Sequence, residues 1–267
     1  MELKYVPKAL ENDATKKDLI YDFGTLNTYK KFMVENKDFK GRYNHSMSTG
    51  DWSGVKTYDK YLELLENGDE AVMKKIKLET TKQIAELGKK YVEVIDNYKF
   101  DVTGQFFDVG LVMTGVPETW LEPEIKEEEQ VQVEIVVNGS FPDGSDLDIV
   151  VENAGRVLAM VKILEDHGVE VKIIQVATAK NFRKTGETLF AMVNIKDYDE
   201  PINYKKCSAL MSPTYLRRGC MKMMEVFGGN TLSSGYGKSL NMEGAVRLLD
   251  TKQVDALERK LFKGGKK

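Results

Sequence analysis

A chain of 267 residues with 42% hydrophobic side chains can bury a substantial core, and 30% charged with 9% aromatic residues describes a folded protein rather than a disordered one. No apolar run approaches the roughly 18 residues of a membrane span, and the polar start "MELKYVPKALENDATKKD" has no signal-peptide core, so a cytosolic location is expected. The net charge of −3 hides an asymmetry: residues 171–267 carry 18 Lys and Arg against 9 Asp and Glu, while residues 1–170 carry 21 against 33. That polarity suits a basic face for a polyanion, or two halves that neutralise each other in the fold.

In chain order, "TLNTYKKFMVEN" (25–36) predicts a helix with Leu26, Tyr29, Phe32 and Met33 on one face. A Gly-, Ser- and Asn-rich loop follows over 37–54. "TYDKYLELLEN" (57–67) predicts a helix capped by Thr57 and stopped by Gly68. Residues 70–98 read as a long helical run, 99–105 as a short strand, and 118–129 as an acidic connector. From residue 131 the pattern changes. "VQVEIVV" is a strand, "LDIVVENAGRVLAMVKILEDHG" a helix ending at Gly168, and "VEVKIIQVATA" a second strand, which together make a right-handed βαβ unit with a parallel pair. "TLFAMVNI" follows after too short a link for a crossover helix, so it should pair antiparallel as an edge hairpin. Residues 203–227 predict one or two helices, with Ser212 as N-cap and Pro213 at the first helical position. Residues 241–250 and 252–262 read as short helices, with no strand evident after Phe227. The expectation is an α/β protein with a partly parallel sheet, a helical region over 1–130 and a sheet region with basic C-terminal helices over 131–267, forming one compact unit.

Several chemistries lack their residues. "SSGYGKS" (233–239) ends like a phosphate loop, but Leu232 stands where that motif needs glycine, and a helix rather than a strand precedes it. The loop "NGSFPDGSD" (138–146) has the spacing of a von Willebrand A metal loop, yet Asn138 and Pro142 replace the expected Asp and Ser, so no metal is expected. Cys207 and Cys220 read as reduced packing residues, and His167 as a cap on a helix end. No catalytic set emerges, and a non-enzymatic protein without a cofactor is expected.

The most suggestive pattern is cations interleaved with aromatic rings. Lys40, Arg42 and Tyr43 sit in one such stretch. Lys180, Phe182, Arg183 and Lys184 form a second, and Tyr215, Arg217, Arg218 and Lys222 a third. Tyr236 and Lys238 add a glycine-hinged loop in a region, 201–242, whose single acid is Glu225. Cations neutralise phosphates while rings stack on bases, which is how single-stranded nucleic acid is held. The competing reading makes Phe39, Phe182 and Tyr215 core anchors and the cations a solvated face.

Two segments carry a resemblance. "DWSGVKTYDKYLELLENG" (51–68) and "GRVLAMVKILEDHGVEVKI" (155–173), with "DVGLVMTGVPETWLEP" between them, resemble a family of phage proteins with a von Willebrand A-like βαβ core. The family's motif positions look structural: Trp52, Gly54, Tyr58, Leu62, Gly68, Arg156, Leu164, Glu165 and Gly168. The resemblance extends to single-stranded-DNA-binding transcription cofactors of podoviruses that carry their own polymerases. It implies melted-promoter DNA as ligand, a phage RNA polymerase as partner, and the cytoplasm of an infected bacterium as location. The alternative is a protein–protein adaptor built on the same sheet, with no nucleic-acid role.

Overall fold

The structure is a computed structural model that describes residues 19–40, 45–47, 54–91, 132–139, 146–180, 188–228 and 245–263. It shows a mixed α/β fold around a five-stranded sheet. Strand β1 (Leu19–Asp22) is followed by helices α1 (Leu26–Glu35), α2 (Tyr58–Asn67) and α3 (Glu70–Lys90). Strand β2 (Gln132–Asn138), helix α4 (Leu147–Asp166) and strand β3 (Glu170–Lys180) make the βαβ unit. Strand β4 (Thr188–Lys196) leads to α5 (Tyr204–Leu210), a π-helical segment (Tyr215–Cys220), α6 (Met221–Gly228), strand β5 (Ala245–Arg247) and α7 (Thr251–Lys263).

Local chemistry explains most of the boundaries. Thr25 and Thr57 accept hydrogen bonds from Thr28 N and Lys60 N at the starts of α1 and α2, and Asp69 takes two N–H groups at the start of α3. Gly68 stops α2 at a φ of 76°, where an added Cβ would also press on Ser208 and Lys205. Ser212 Oγ accepts Tyr215 N at 3.4 Å, so Ser212 and Pro213 open the helical run to 228 as their sequence predicts. His167 Nδ1 meets the Ile163 carbonyl, the capping role expected of it.

The sheet order is β1-β4-β3-β2-β5. β2 pairs parallel with both β3 and β5, β3 pairs antiparallel with β4, and β4 pairs parallel with β1. Two features depart from the sequence expectation. The antiparallel hairpin does not close the sheet, because β1 lies outside β4. Residues 245–247, read as part of a helix, form the opposite edge strand. A three-residue strand has too few positions to show a period of two, and its pairing to β2 comes from a distant part of the chain. The strand expected over 99–105 and the helical run beyond Tyr91 lie outside the described residues.

Both faces of the sheet are apolar. Ile135, Val137, Val171 and Ile173 join the core formed with the helices, while Val136, Ile174, Val176, Phe190 and Met192 make a second buried cluster. This two-sided burial is why β3 reads as the near-continuous apolar run "IIQVATA". Lys196 is 1% exposed at the end of β4, where it donates to the Val171 carbonyl at 2.6 Å and pairs with Glu165 at 2.6 Å. It ties the end of α4 to the sheet.

Where helix meets helix, small residues set the distance. Gly155 of α4 lies against Glu79 and Ile76 of α3. Gly219, in the π segment, faces the hydroxyls of Tyr29 and Tyr61, two fully buried rings that share a 2.8 Å hydrogen bond. An added Cβ would overlap both hydroxyls. Gly219→Ala is expected to cost about 1–3 kcal/mol, read as a lowered urea midpoint. An unchanged midpoint would show that this packing yields easily.

Candidate nucleic-acid interface

The basic–aromatic stretches take three different positions. The third, 212–222, is interior. Tyr215, Arg218 and Lys222 are fully buried and Arg217 is 5% exposed. Arg218 Nη1 donates to Ser46 O at 2.6 Å, and its Nη2 donates to Val55 O. Lys222 Nζ donates to Phe39 O at 2.8 Å and lies over the Tyr58 ring at 5.1 Å. Burial lowers the pKa of both cations. Glu225, also fully buried, accepts the backbone N–H of Ser46 at 2.9 Å and the Ser46 hydroxyl.

Arg217 and Arg218, expected on a strand-binding surface, are therefore enclosed by the fold. The physical reason for Arg218 is plain. Ser46 and Val55, described residues between α1 and α2, turn their carbonyls toward the 215–228 run, as Phe39 does toward Lys222, and a buried carbonyl needs a donor. Arginine and lysine supply donors on long apolar stems. Here the competing reading of Tyr215 as a core anchor holds.

The second stretch lies at the end of a ribbon. The last β2–β3 pair is Asn138 with Val176, but β3 and β4 continue through Ala177–Ala191, Thr178–Phe190, Ala179–Leu189 and Lys180–Thr188. Four pairs, about 13 Å at the usual rise per residue, thus run past the end of β2. β1 supports the ribbon on its other side through the register Leu19–Leu189 to Asp22–Met192. Lys180 ends β3; Phe182, Arg183 and Lys184 lie outside the described residues.

The first stretch leaves the end of α1. Lys40 is exposed, and the Lys222 bond to Phe39 O fixes the chain just before it. Arg42 and Tyr43 lie outside the described residues, as do Tyr236 and Lys238. The segment holding those last two begins just beyond α6, whose Phe227 ring stacks on Tyr21 of β1 with centroids 3.7 Å apart. Phe227 also stacks on Phe32 of α1 at 5.1 Å.

The described anchors thus root all three candidate loops on the β1–β4 side of the sheet. The Tyr21–Phe227 contact was not legible in the sequence, because nothing local brings a β1 tyrosine to a phenylalanine about two hundred positions later.

Other candidate sites resolve more simply. Cys207 and Cys220 are buried free thiols, and burial raises the Cys207 pKa to about 12, which suits packing residues. Asn138 is buried at the end of β2, and Asp146 caps α4 by accepting Asp148 N at 3.0 Å. No helix among the described residues is long and apolar enough to cross a membrane.

Residues 11–257 match the model of a family described as a domain of unknown function, DUF7192, and the chain belongs to that family. No curated protein and no solved structure matches it.

Proposed function

We propose that this member of the DUF7192 family binds single-stranded DNA and acts as a phage transcription cofactor, engaging melted promoter DNA and recruiting a phage RNA polymerase. The observation that carries the reading is the β3–β4 ribbon. It runs past the end of β2, with β1 along its other side, and bears Lys180 at the start of the stretch with Phe182, Arg183 and Lys184, beside the roots of the loops with Lys40, Arg42 and Tyr43 and with Tyr236 and Lys238. Cations on such a ribbon neutralise phosphates, and interleaved rings accept bases without a sequence requirement. The DNA and polymerase roles draw on the resemblance of 51–68 and 155–173 to Drc, a single-stranded-DNA-binding polymerase cofactor of podoviruses.

The test is a salt titration of binding to single-stranded and duplex oligonucleotides of equal length. Single-stranded DNA should bind more tightly, with affinity falling steeply as salt rises. Neutralising Lys180, Arg183 and Lys184 to glutamine should reduce the logarithmic salt slope by about 2, at roughly 0.7 per phosphate contact on a single strand. Affinity near physiological salt should fall on the order of tenfold or more. A wild-type protein with no preference for single strands would overturn the proposal.

The second reading, a protein–protein adaptor, gains from the enclosure of Arg217, Arg218 and Lys222, which takes three cations off the surface. A partner retained through nuclease treatment and high salt would favour it.

A further inference from the structure

The geometry points to the Tyr21–Phe227–Phe32 ladder as a stacking platform for the unpaired bases of single-stranded DNA. The inference rests on the single-strand reading and gives it a base-contacting site that the charge pattern does not supply.

The three rings differ from the aromatic core around them. Tyr29, Tyr58, Tyr61 and Tyr215 are buried and meet tilted, with interplanar angles of 52° and 56° in the Tyr29–Tyr215 and Tyr58–Tyr61 pairs. Tyr21, Phe227 and Phe32 are each half-buried and nearly parallel, at 9° for the first pair and 26° for the second. Offset parallel rings at the surface form a short stack that a planar base can extend.

Charges of both signs surround the ladder, with one acid removed by burial and Lys40 exposed nearby. Glu225, the single acid of 201–242, is fully buried on Ser46. Asp22 accepts the Gly24 N–H at 2.7 Å, and Glu35 is paired with Lys31 at 3.8 Å. Lys40 is exposed beyond Phe39, whose carbonyl is held by Lys222 one turn before Phe227. The platform also lies along the ribbon. Tyr21 is in register with Ala191, three positions along β4 from Thr188 at the ribbon's end. A strand whose phosphates follow the ribbon would present its bases to these rings.

The experiment compares full-length wild type, Tyr21→Leu and Phe227→Leu on a labelled oligothymidine and on an abasic oligonucleotide of the same length. Leucine keeps the apolar volume but removes the π face. Tyr21→Phe and Phe227→Tyr keep the face and control for misfolding. Wild type should prefer the base-bearing strand. Tyr21→Leu, at the end of the stack, should lose roughly 5- to 150-fold on oligothymidine, the usual range for one stacked base, and Phe227→Leu, whose ring backs Tyr21, should lose less. Abasic binding and salt slope should stay as in wild type, and the conservative variants should retain the preference. If wild type binds single strands and the leucine variants bind them equally well, the platform is wrong and the single-strand reading stands. The same holds if the variants lose base-bearing and abasic binding alike. If wild type binds no single-stranded DNA, both fall.

Discussion

Replacing Arg218 by methionine should destabilise the chain by about 3–5 kcal/mol, a large fraction of the roughly 5–15 kcal/mol that holds a domain folded. The guanidinium serves the carbonyls of Ser46 and Val55, on a segment more than 160 residues earlier. Methionine fills similar space but donates nothing. Each carbonyl left dry costs about 1–3 kcal/mol. Glu225 anchors the same turn from the other side through the N–H and hydroxyl of Ser46. Removing Arg218 therefore loosens the turn that Glu225 holds, and the two sites should couple. In a double-mutant cycle with Glu225→Gln, the combined loss should fall short of the sum. Urea unfolding at pH 7 reads the effect. This prediction also separates an internal role from the surface role that "YLRRGC" suggests. A DNA contact on the surface would leave the urea midpoint unchanged and weaken only binding.

Glu258→Gln should cost about 2–3 kcal/mol at neutral pH, and the cost should vanish in acid. Glu258 is 4% exposed on α7, where it accepts hydrogen bonds from Lys90 at 2.6 Å, Tyr91 at 2.9 Å and Arg156 at 3.0 Å. Arg156 reaches Asp255 as well, at 2.7 Å, and Phe262 stacks on Tyr91 at 5.1 Å. This cluster fastens the last helix to α3 and α4. Burial alone would raise the Glu258 pKa, but the bonds from Lys90, Tyr91 and Arg156 outweigh it and hold the carboxyl below its ordinary value. A depressed folded pKa means the unfolded chain takes up the proton first as pH falls. The stabilisation is complete above the unfolded value of about 4.3 and drains away as pH drops through the lower folded value. The gap in urea midpoint between wild type and Glu258→Gln should be wide at pH 7 and narrow below about pH 4. A gap that stays constant across that range would show that the carboxylate charge contributes nothing. The magnitude assumes a buried, multiply bonded carboxylate, somewhat below the full cost of breaking a buried pair because Arg156 keeps Asp255 and Lys90 can turn to water.

The legible parts of the fold were those with a local cause. Thr57 and Gly68 bound α2 because a side-chain oxygen and a positive φ act within one turn of the chain. The βαβ unit could be read because β2 and β3 are long enough for apolar runs to stand out and Gly168 marks the end of α4. Its short link to β4 left only an antiparallel pairing. β1 and β5, of four and three residues, carry no period and are strands only because β4 and β2 offer them open edges.

The candidate interface divides in the same way. Lys180 stands on the ribbon's end because hairpin geometry is local, and Lys40 is exposed beyond α1 as its loop composition suggests. Arg217, Arg218 and Lys222 have the composition of a basic patch, and nothing within a few residues marks them as interior. The capped helices, the parallel core of the sheet and the supply of cations and rings follow from neighbouring residues alone. Which cations face solvent depends on contacts between distant segments. For Arg218 and Lys222 the deciding groups are the carbonyls of Phe39, Ser46 and Val55, which only the folded chain brings against the 215–228 run and which need a donor once water is gone.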